Sequence, residues 1–78
     1  MKANQKIILY MNDGVPCGEY KSIVDAYKAL QDIKKEDHEE NIKGNEYYFE
    51  LEEETTNTTY IYDVKIYRRG NKLFMKQC

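Results

Sequence analysis

Few side chains in this sequence could carry out covalent chemistry. Its 78 residues include one histidine, His38, and two cysteines, Cys17 and Cys78. Nucleophilic catalysis needs a nucleophile beside a base that a third group orients. Cys17 with His38 is the one candidate pair, and no catalytic motif has their spacing. We therefore predict that the protein is not an enzyme, that both thiols are free, and that His38 is an exposed loop residue.

Patterns typical of metal and cofactor sites are also missing. Zinc sites use cysteines and histidines at short fixed spacings, whereas Cys17 and Cys78 are far apart in the sequence. Residues 36–40 are acidic but lack the spaced Asp/Asn and central glycine of a calcium loop. Gly14 and Gly18 belong to neither of the glycine-rich phosphate-binding motifs, GxxxxGK and GxGxxG. We predict no metal and no cofactor.

Charge is sorted by position along the chain. Residues 36–63 contain ten acids and one base, and residues 64–78 contain five bases and no acid. The net charge of only −2 therefore results from two strongly charged segments of opposite sign that nearly cancel. Segregated charge steers partners together and discourages wrong ones. The pattern favours a function in binding.

The acidic segment has two interpretations. Its carboxylates could keep the chain soluble and blunt a sheet edge, with cross-strand pairs such as Glu50 or Glu52 against Lys65. Alternatively, they could imitate a phosphate backbone and occupy a lysine- and arginine-lined groove of a protein or nucleoprotein complex. Aromatic side chains among charges are typical of interfaces. The predicted partner-binding residues are Tyr48, Glu50, Glu52, Glu53, Glu54, Asp63 and Tyr67.

The basic C-terminal segment offers an alternative function. Basic residues interleaved with an aromatic ring can hold single-stranded nucleic acid by ion pairing and stacking. The residues of this alternative nucleic-acid site are Lys65, Arg68, Arg69 and Lys72, with Tyr67 as the stacking ring. A third hypothesis is an oligomerising structural protein, for example a homodimer, joined through a sheet edge or through exposed aromatic side chains.

The first half of the chain predicts a hairpin. Residues 6–11 are β-branched and aromatic and indicate a strand. Asp13-Gly14 favours a type I′ turn. Residues 15–20 are the predicted return strand, which Pro16 confines to a sheet edge.

One amphipathic helix follows at residues 22–35, with Ser22 as its N-cap. Its apolar stripe is formed by Ile23, Ala26, Tyr27, Leu30 and Ile33, spaced as one helix face requires. Residues 36–45 are predicted to be a loop or a weak extra helical turn closed by Gly44.

Three alternating segments then predict an antiparallel meander of strands at 46–53, 59–68 and 72–76. Residues 55–58 form the first turn, with Asn57 able to adopt a left-handed conformation, and Gly70-Asn71 form the second. The helix is the natural cover for one face of the sheet. We predict a single α+β domain over residues 1–78, two-layered and in the order β-β-α-β-β-β.

The N-terminal segment lacks the features of a targeting signal. Its most apolar run, residues 7–11, is too short for a signal peptide or a membrane span. We expect a cytoplasmic protein that does not associate with membranes.

In style, the chain resembles the small, acidic inhibitors that bacteriophages and mobile elements encode, notably anti-CRISPR proteins. The features that carry the resemblance are one small α+β domain, a meander that includes residues 47–51 and 60–66, the acidic run at 50–54, and no catalytic set. It implies a protein in the host cytoplasm that blocks a large nucleoprotein complex by occupying its nucleic-acid-binding or nuclease-recruiting surface.

Overall fold

The computed structural model describes residues 4–78, so the predicted domain begins with three residues outside the described range. Within residues 4–78 the elements are β1 (Asn4–Met11), β2 (Val15–Tyr20), α1 (Ile23–Glu39), β3 (Tyr47–Glu54), β4 (Thr59–Arg69) and β5 (Lys72–Gln77). The strands form one antiparallel sheet in the order β2-β1-β3-β4-β5, and α1 packs on one face of it. The predicted α+β class and β-β-α-β-β-β order are confirmed.

The hydrophobic core lies between α1 and one face of the sheet, here called the covered face. The buried core side chains are Ile7, Leu9, Ala26, Phe49, Leu51 and Val64, and Ile23, Leu30 and Ile33 of α1 pack against them. Alternate residues of a strand point to opposite faces, so Phe49 and Leu51 of β3 and Val64 of β4 belong to this core, whereas Tyr60 of β4, with the same parity as Val64, is exposed. The opposite side is here called the open face.

The first hairpin forms, but the predicted type I′ turn was wrong. Met11 pairs with Val15, so three residues connect the strands. Positive φ angles occur at Asn12 (55°) and Gly14 (105°) and not at Asp13, whereas a type I′ turn needs them at both central residues. The reason lies across the sheet, because Asn12 exchanges hydrogen bonds with Glu46: its N–H donates to Glu46 O at 2.7 Å, and its Oδ1 accepts from Glu46 N–H at 2.9 Å.

Strand β2 lies at one edge of the sheet, as Pro16 predicted. The pairing with β1 is irregular there, because Leu9 faces Gly18 while Tyr10 faces Pro16. Cys17 is therefore the extra residue of a β-bulge. A proline and a bulge together disturb this edge as a template for another strand.

The helix begins as predicted and ends later than predicted. Ser22 Oγ accepts the Asp25 N–H at 3.2 Å, which confirms the N-cap. Residues 36–39 continue the helix, so the alternative of an extra helical turn is confirmed and the loop was wrong, but Gly44 does not close the turn. Asn41 takes the left-handed conformation at φ 59°. The Ile42 N–H then donates to Asp37 O at 2.8 Å and the Asn41 N–H to His38 O at 3.2 Å, which is a Schellman motif.

The two turns of the meander are stabilised in different ways. The left-handed conformation predicted for Asn57 does not occur. Thr55 closes that turn instead, because its N–H donates to Thr58 O at 2.8 Å and its Oγ1 accepts the Thr58 N–H at 3.1 Å. Gly70 has φ 63° in a two-residue turn between β4 and β5, a position that suits glycine.

Tyr47 connects the end of α1 to the sheet. Its hydroxyl donates to Asp37 Oδ2, and Asn45 Nδ2 donates to the same hydroxyl at 3.5 Å. Asn12 Nδ2 reaches Asn45 Oδ1 at 3.3 Å, so the first turn joins this cluster. The Asp37 carboxylate as acceptor, followed by burial, raises the pKa of Tyr47 above its ordinary value.

Within residues 4–78, α1 lacks the apolar length that crossing a membrane would require.

Candidate functional site

The open face of the sheet is the candidate binding surface. Strand register places these side chains on it: Lys6, Ile8 and Tyr10 of β1, Glu19 of β2, Tyr48, Glu50, Glu52 and Glu54 of β3, Ile61, Asp63, Lys65, Tyr67 and Arg69 of β4, and Lys72, Phe74 and Lys76 of β5. Tyr48, Ile61, Tyr67 and Phe74 are exposed there. The surface therefore combines large apolar groups with charge of both signs.

Acids occupy the middle of the open face. We call Glu50, Glu52, Glu54 and Asp63 the acidic patch. Glu50 lies directly opposite Asp63 on the neighbouring strand, and Glu52 lies opposite Ile61. On the β4 side, carboxylate therefore faces carboxylate or an exposed apolar group.

Lys6 neutralises one side of the acidic patch. Its ammonium lies 3.5 Å from the Glu19 carboxylate and 3.6 Å from that of Glu52. These two carboxylates, Glu19 first, raise the pKa of Lys6. No comparable ion pair joins Glu50 or Asp63 to a base within residues 4–78. The same is true of Glu54, so the acids of the patch without an ion pair in this range are Glu50, Glu54 and Asp63, of which Glu50 and Asp63 lie opposite each other.

Glu53 is separated from the other predicted acids. In register it lies opposite Tyr60 on the covered face, whereas Glu50, Glu52 and Glu54 lie on the open face. Tyr60 is 47% exposed and stacks on Tyr62 with ring centroids 6.3 Å apart. The helix does not enclose this end of the covered face, so Glu53 belongs to a different surface.

A second group of charges, all basic, lies beside the acidic patch. Lys65 is directly opposite Lys76, and Arg69 is directly opposite Lys72. We call these four residues the basic corner. Between the two pairs, Tyr67 stacks on Phe74 with centroids 5.7 Å apart and planes inclined by 26°. Ring faces flanked by cations are the parts of a stacking platform for bases.

Arg68 is positioned differently from the other predicted bases. Its strand register gives it the parity of the covered face, opposite Leu73. Its Nε donates to Gly70 O at 2.9 Å, which fixes the guanidinium near the turn. From there it lines a shallow depression of about 540 Å³ together with Lys65, Tyr67, Arg69 and Lys76. Three of the four predicted bases therefore meet at one depression.

Like charges face one another on both halves of the surface. The cross-strand pairing of Glu50 or Glu52 with Lys65 was wrong, because Glu50 faces Asp63 and Lys65 faces Lys76. Like charges directly opposite on neighbouring strands are destabilising, by roughly 0.2–1 kcal/mol per pair. The register of the open face therefore places like charges opposite each other, an arrangement that does not favour the fold.

Tyr10 belongs to the surface although the sequence did not single it out. It stacks on Tyr48 with centroids 5.3 Å apart and planes inclined by 16°. Burial, and then the Glu50 carboxylate as acceptor, raise the pKa of Tyr10. The continuous apolar run of β1 concealed this residue, because Ile7 and Leu9 face the helix while Ile8 and Tyr10 face the open side. The available signal was the parity of Lys6, Ile8 and Tyr10.

The candidate residues for covalent chemistry, Cys17, Cys78 and His38, are all exposed. Cys17 is exposed in the β2 bulge, with its Sγ 3.7 Å from Val15 O. His38 is exposed in the last turn of α1 rather than in a loop. Cys78 is exposed after β5, and its N–H donates to Asp63 O at 2.8 Å. Residues 4–78 contain no group of three or more His, Cys, Asp or Glu side chains that could hold a metal.

The fold and its surface define a small α+β domain with one helix-covered sheet face and one charged, partly aromatic open face. Comparison with known proteins found no match among family models, curated proteins or solved structures. Function is therefore inferred from the surface itself.

Proposed function

We propose that the protein is a non-enzymatic binding protein that blocks a macromolecular complex by placing its open face on a basic surface of that complex. The observation that carries the proposal is the pair Glu50 and Asp63, opposite each other and without a cation of their own within residues 4–78. A basic partner relieves the repulsion between them. Tyr48 and Ile61, exposed beside these acids, supply apolar anchors.

The complex is one that handles nucleic acid, and the protein acts as an anti-CRISPR or other anti-defence inhibitor. Alternate residues of a strand are about 6.8 Å apart, so Glu50, Glu52 and Glu54 form a regular row of charges. A groove built to bind phosphates offers regularly placed lysines and arginines that such a row can meet. The resemblance to small phage-encoded inhibitors supports the same function.

The test compares charge reversal on the open face with charge reversal on the covered face. We expect tagged wild-type protein to capture a protein complex from a nuclease-treated extract of its host, identified by mass spectrometry. Glu50→Lys together with Asp63→Lys should abolish that capture. The control is Glu53→Lys, which changes charge on the same strand but on the other face, and it should retain capture.

Equal capture by wild type and the double variant would remove the acidic patch from the interface. If the double variant fails to capture, an added oligonucleotide should also compete with wild type for the isolated complex. An oligonucleotide that binds the complex without displacing the protein would contradict blocking of a nucleic-acid-binding surface.

The second candidate function is direct binding of single-stranded nucleic acid by the basic corner. Its support is the Tyr67–Phe74 stack, in which both rings are partly exposed and lie between basic pairs. Fluorescence anisotropy with a labelled single strand should then show affinity that falls steeply with salt. Tyr67→Ala should weaken binding while Tyr60→Ala, an exposed tyrosine of the covered face, should not. No binding at low salt would exclude this function.

A further inference from the structure

The two edges of the sheet are built differently. At the β2 edge, Pro16 and the bulge at Cys17 interrupt the regular pattern of backbone hydrogen-bonding groups. At the β5 edge, pairing with β4 runs without a shift from Arg69 opposite Lys72 to Val64 opposite Gln77. Strand β5 contains no proline. Regular edges of this kind can accept a further strand.

The register shows which backbone groups of β5 are available. In antiparallel pairs, residues that exchange hydrogen bonds alternate with residues that do not. Cys78 N–H donates to Asp63 O at 2.8 Å, so Lys76, Phe74 and Lys72 are the residues of β5 that bond to β4. The N–H and C=O groups of Leu73 and Met75 consequently point away from β4, toward the edge.

Charge decides which strand this edge can accept. Lys72 and Lys76 flank Phe74 on the open face of β5. Pairing with β5 of a second copy, centred on Phe74, places each Lys72 opposite a Lys76 and brings four ammonium groups together. Lysines on an edge strand discourage such self-pairing. The same two lysines attract a strand that carries acids at matching positions.

We propose that the β5 edge binds an extended acidic segment of a partner protein as an additional strand of the sheet. The segment carries an acid, three apolar residues and a second acid in succession, so that the acids lie beside Lys72 and Lys76 and the central apolar residue lies beside Phe74. The Leu73 and Met75 backbone groups supply the main-chain hydrogen bonds. This site is distinct from the acidic patch and does not depend on the proposed function.

The first test uses synthetic peptides with blocked ends and the core Glu-Val-Tyr-Val-Glu. Titration followed by amide NMR should give saturable binding and slower hydrogen exchange at Leu73 and Met75. A control peptide of equal charge and composition, Glu-Glu-Val-Tyr-Val, can place only one acid on the open face and should bind roughly tenfold more weakly. Equal affinity of the two peptides, or unchanged exchange at both amides, would overturn the proposal.

Three variants separate backbone pairing from charge. Leu73→Pro removes an N–H that β4 does not use, so the fold should survive while binding falls at least roughly tenfold. Leu73→Ala removes the same side chain, keeps the N–H and should retain binding. Lys72→Glu with Lys76→Glu should lose the acidic peptide and gain Lys-Val-Tyr-Val-Lys. This double variant should fold at least as well as wild type, because its new acids face Arg69 and Lys65 in favourable cross-strand pairs.

Other occupants of the edge give different results. A concentration-dependent dimer in light scattering that Leu73→Pro abolishes would assign the edge to a second copy and overturn the proposal. A single-stranded oligonucleotide could protect the Leu73 and Met75 amides to the same extent as the Glu-Val-Tyr-Val-Glu peptide. That result would overturn the proposal and assign the edge to nucleic acid. The expected result is a monomer whose Leu73 and Met75 amides are protected by the Glu-Val-Tyr-Val-Glu peptide and not by an oligonucleotide.

Discussion

The two faces of this sheet follow different rules. In the core of the covered face, apolar residues lie opposite apolar residues, such as Phe49 opposite Val64, and the helix packs against them. On the open face, Glu50 lies opposite Asp63 and Lys65 lies opposite Lys76. Contacts of the first kind stabilise the fold, and contacts of the second kind oppose it. The difference is what the proposed binding role of the open face would produce.

The largest contrast should appear when one apolar side chain is shortened on each face. Leu9 is fully buried, so Leu9→Ala should lower the free energy of unfolding by about 3 kcal/mol through lost burial and a residual cavity. Ile61 is 62% exposed on the open face. Ile61→Ala should therefore change the free energy of unfolding by less than about 0.5 kcal/mol. Urea unfolding midpoints measure both, and similar losses at the two positions would contradict the division between faces.

Removing the Tyr47 hydroxyl should have the next largest effect. Tyr47→Phe breaks the hydrogen bond to the Asp37 carboxylate that fixes the last turn of α1. Hydrogen bonds to charged groups contribute about 1.5–3 kcal/mol when buried, and this one is partly exposed, so we expect a loss of about 1 kcal/mol. The same change at Tyr67, on the open face, is the control and should be nearly neutral. Equal effects would remove the special role of the Tyr47 contact.

Alkaline pH should affect the same contact. The folded-state pKa of Tyr47 is raised, so its contribution to stability is full below the ordinary tyrosine value of about 10 and is lost as pH rises through the folded value. Wild type should therefore lose stability above about pH 10. Tyr10 and Lys6 also have raised pKa values, so the comparison with Tyr47→Phe at each pH isolates Tyr47. A constant difference between the two proteins across this range would contradict the assignment.

Alternation made the two faces of β3, β4 and β5 predictable from the sequence. It could not give the order of strands, because the central position of β1 depends on its pairing with β3. A one-residue change of register moves a side chain to the other face. Treating residues 50–54 as one patch ignored that alternation, and for this reason Glu53 was grouped with acids on the other side.

The end of the helix was missed for a different reason. Acids near a helix C-terminus are unfavourable for its dipole, so the sequence left a loop and a weak extra helical turn as alternatives for residues 36–45. Two local contacts offset that cost. Asn41 adopts the left-handed conformation that closes a Schellman motif, and Asp37 accepts the hydroxyl of Tyr47. Asn41 followed by the apolar Ile42 was the available local signal, whereas the contact with Tyr47 required knowledge of the fold.

The smallest expected effect tests the open face most directly. Lys76→Glu places an acid opposite Lys65. The new pair should raise the free energy of unfolding by about 0.5 kcal/mol. Lys43→Glu makes the same change of net charge outside the strands and should give no gain.

The salt dependence of stability shows whether the gain from Lys76→Glu comes from this ion pair. The stabilisation from Lys76→Glu should shrink at high salt, because exposed pairs are screened. A loss of stability with Lys76→Glu would mean that Lys65 and Lys76 do not repel each other, and the open face would then give no sign of having sacrificed stability for binding.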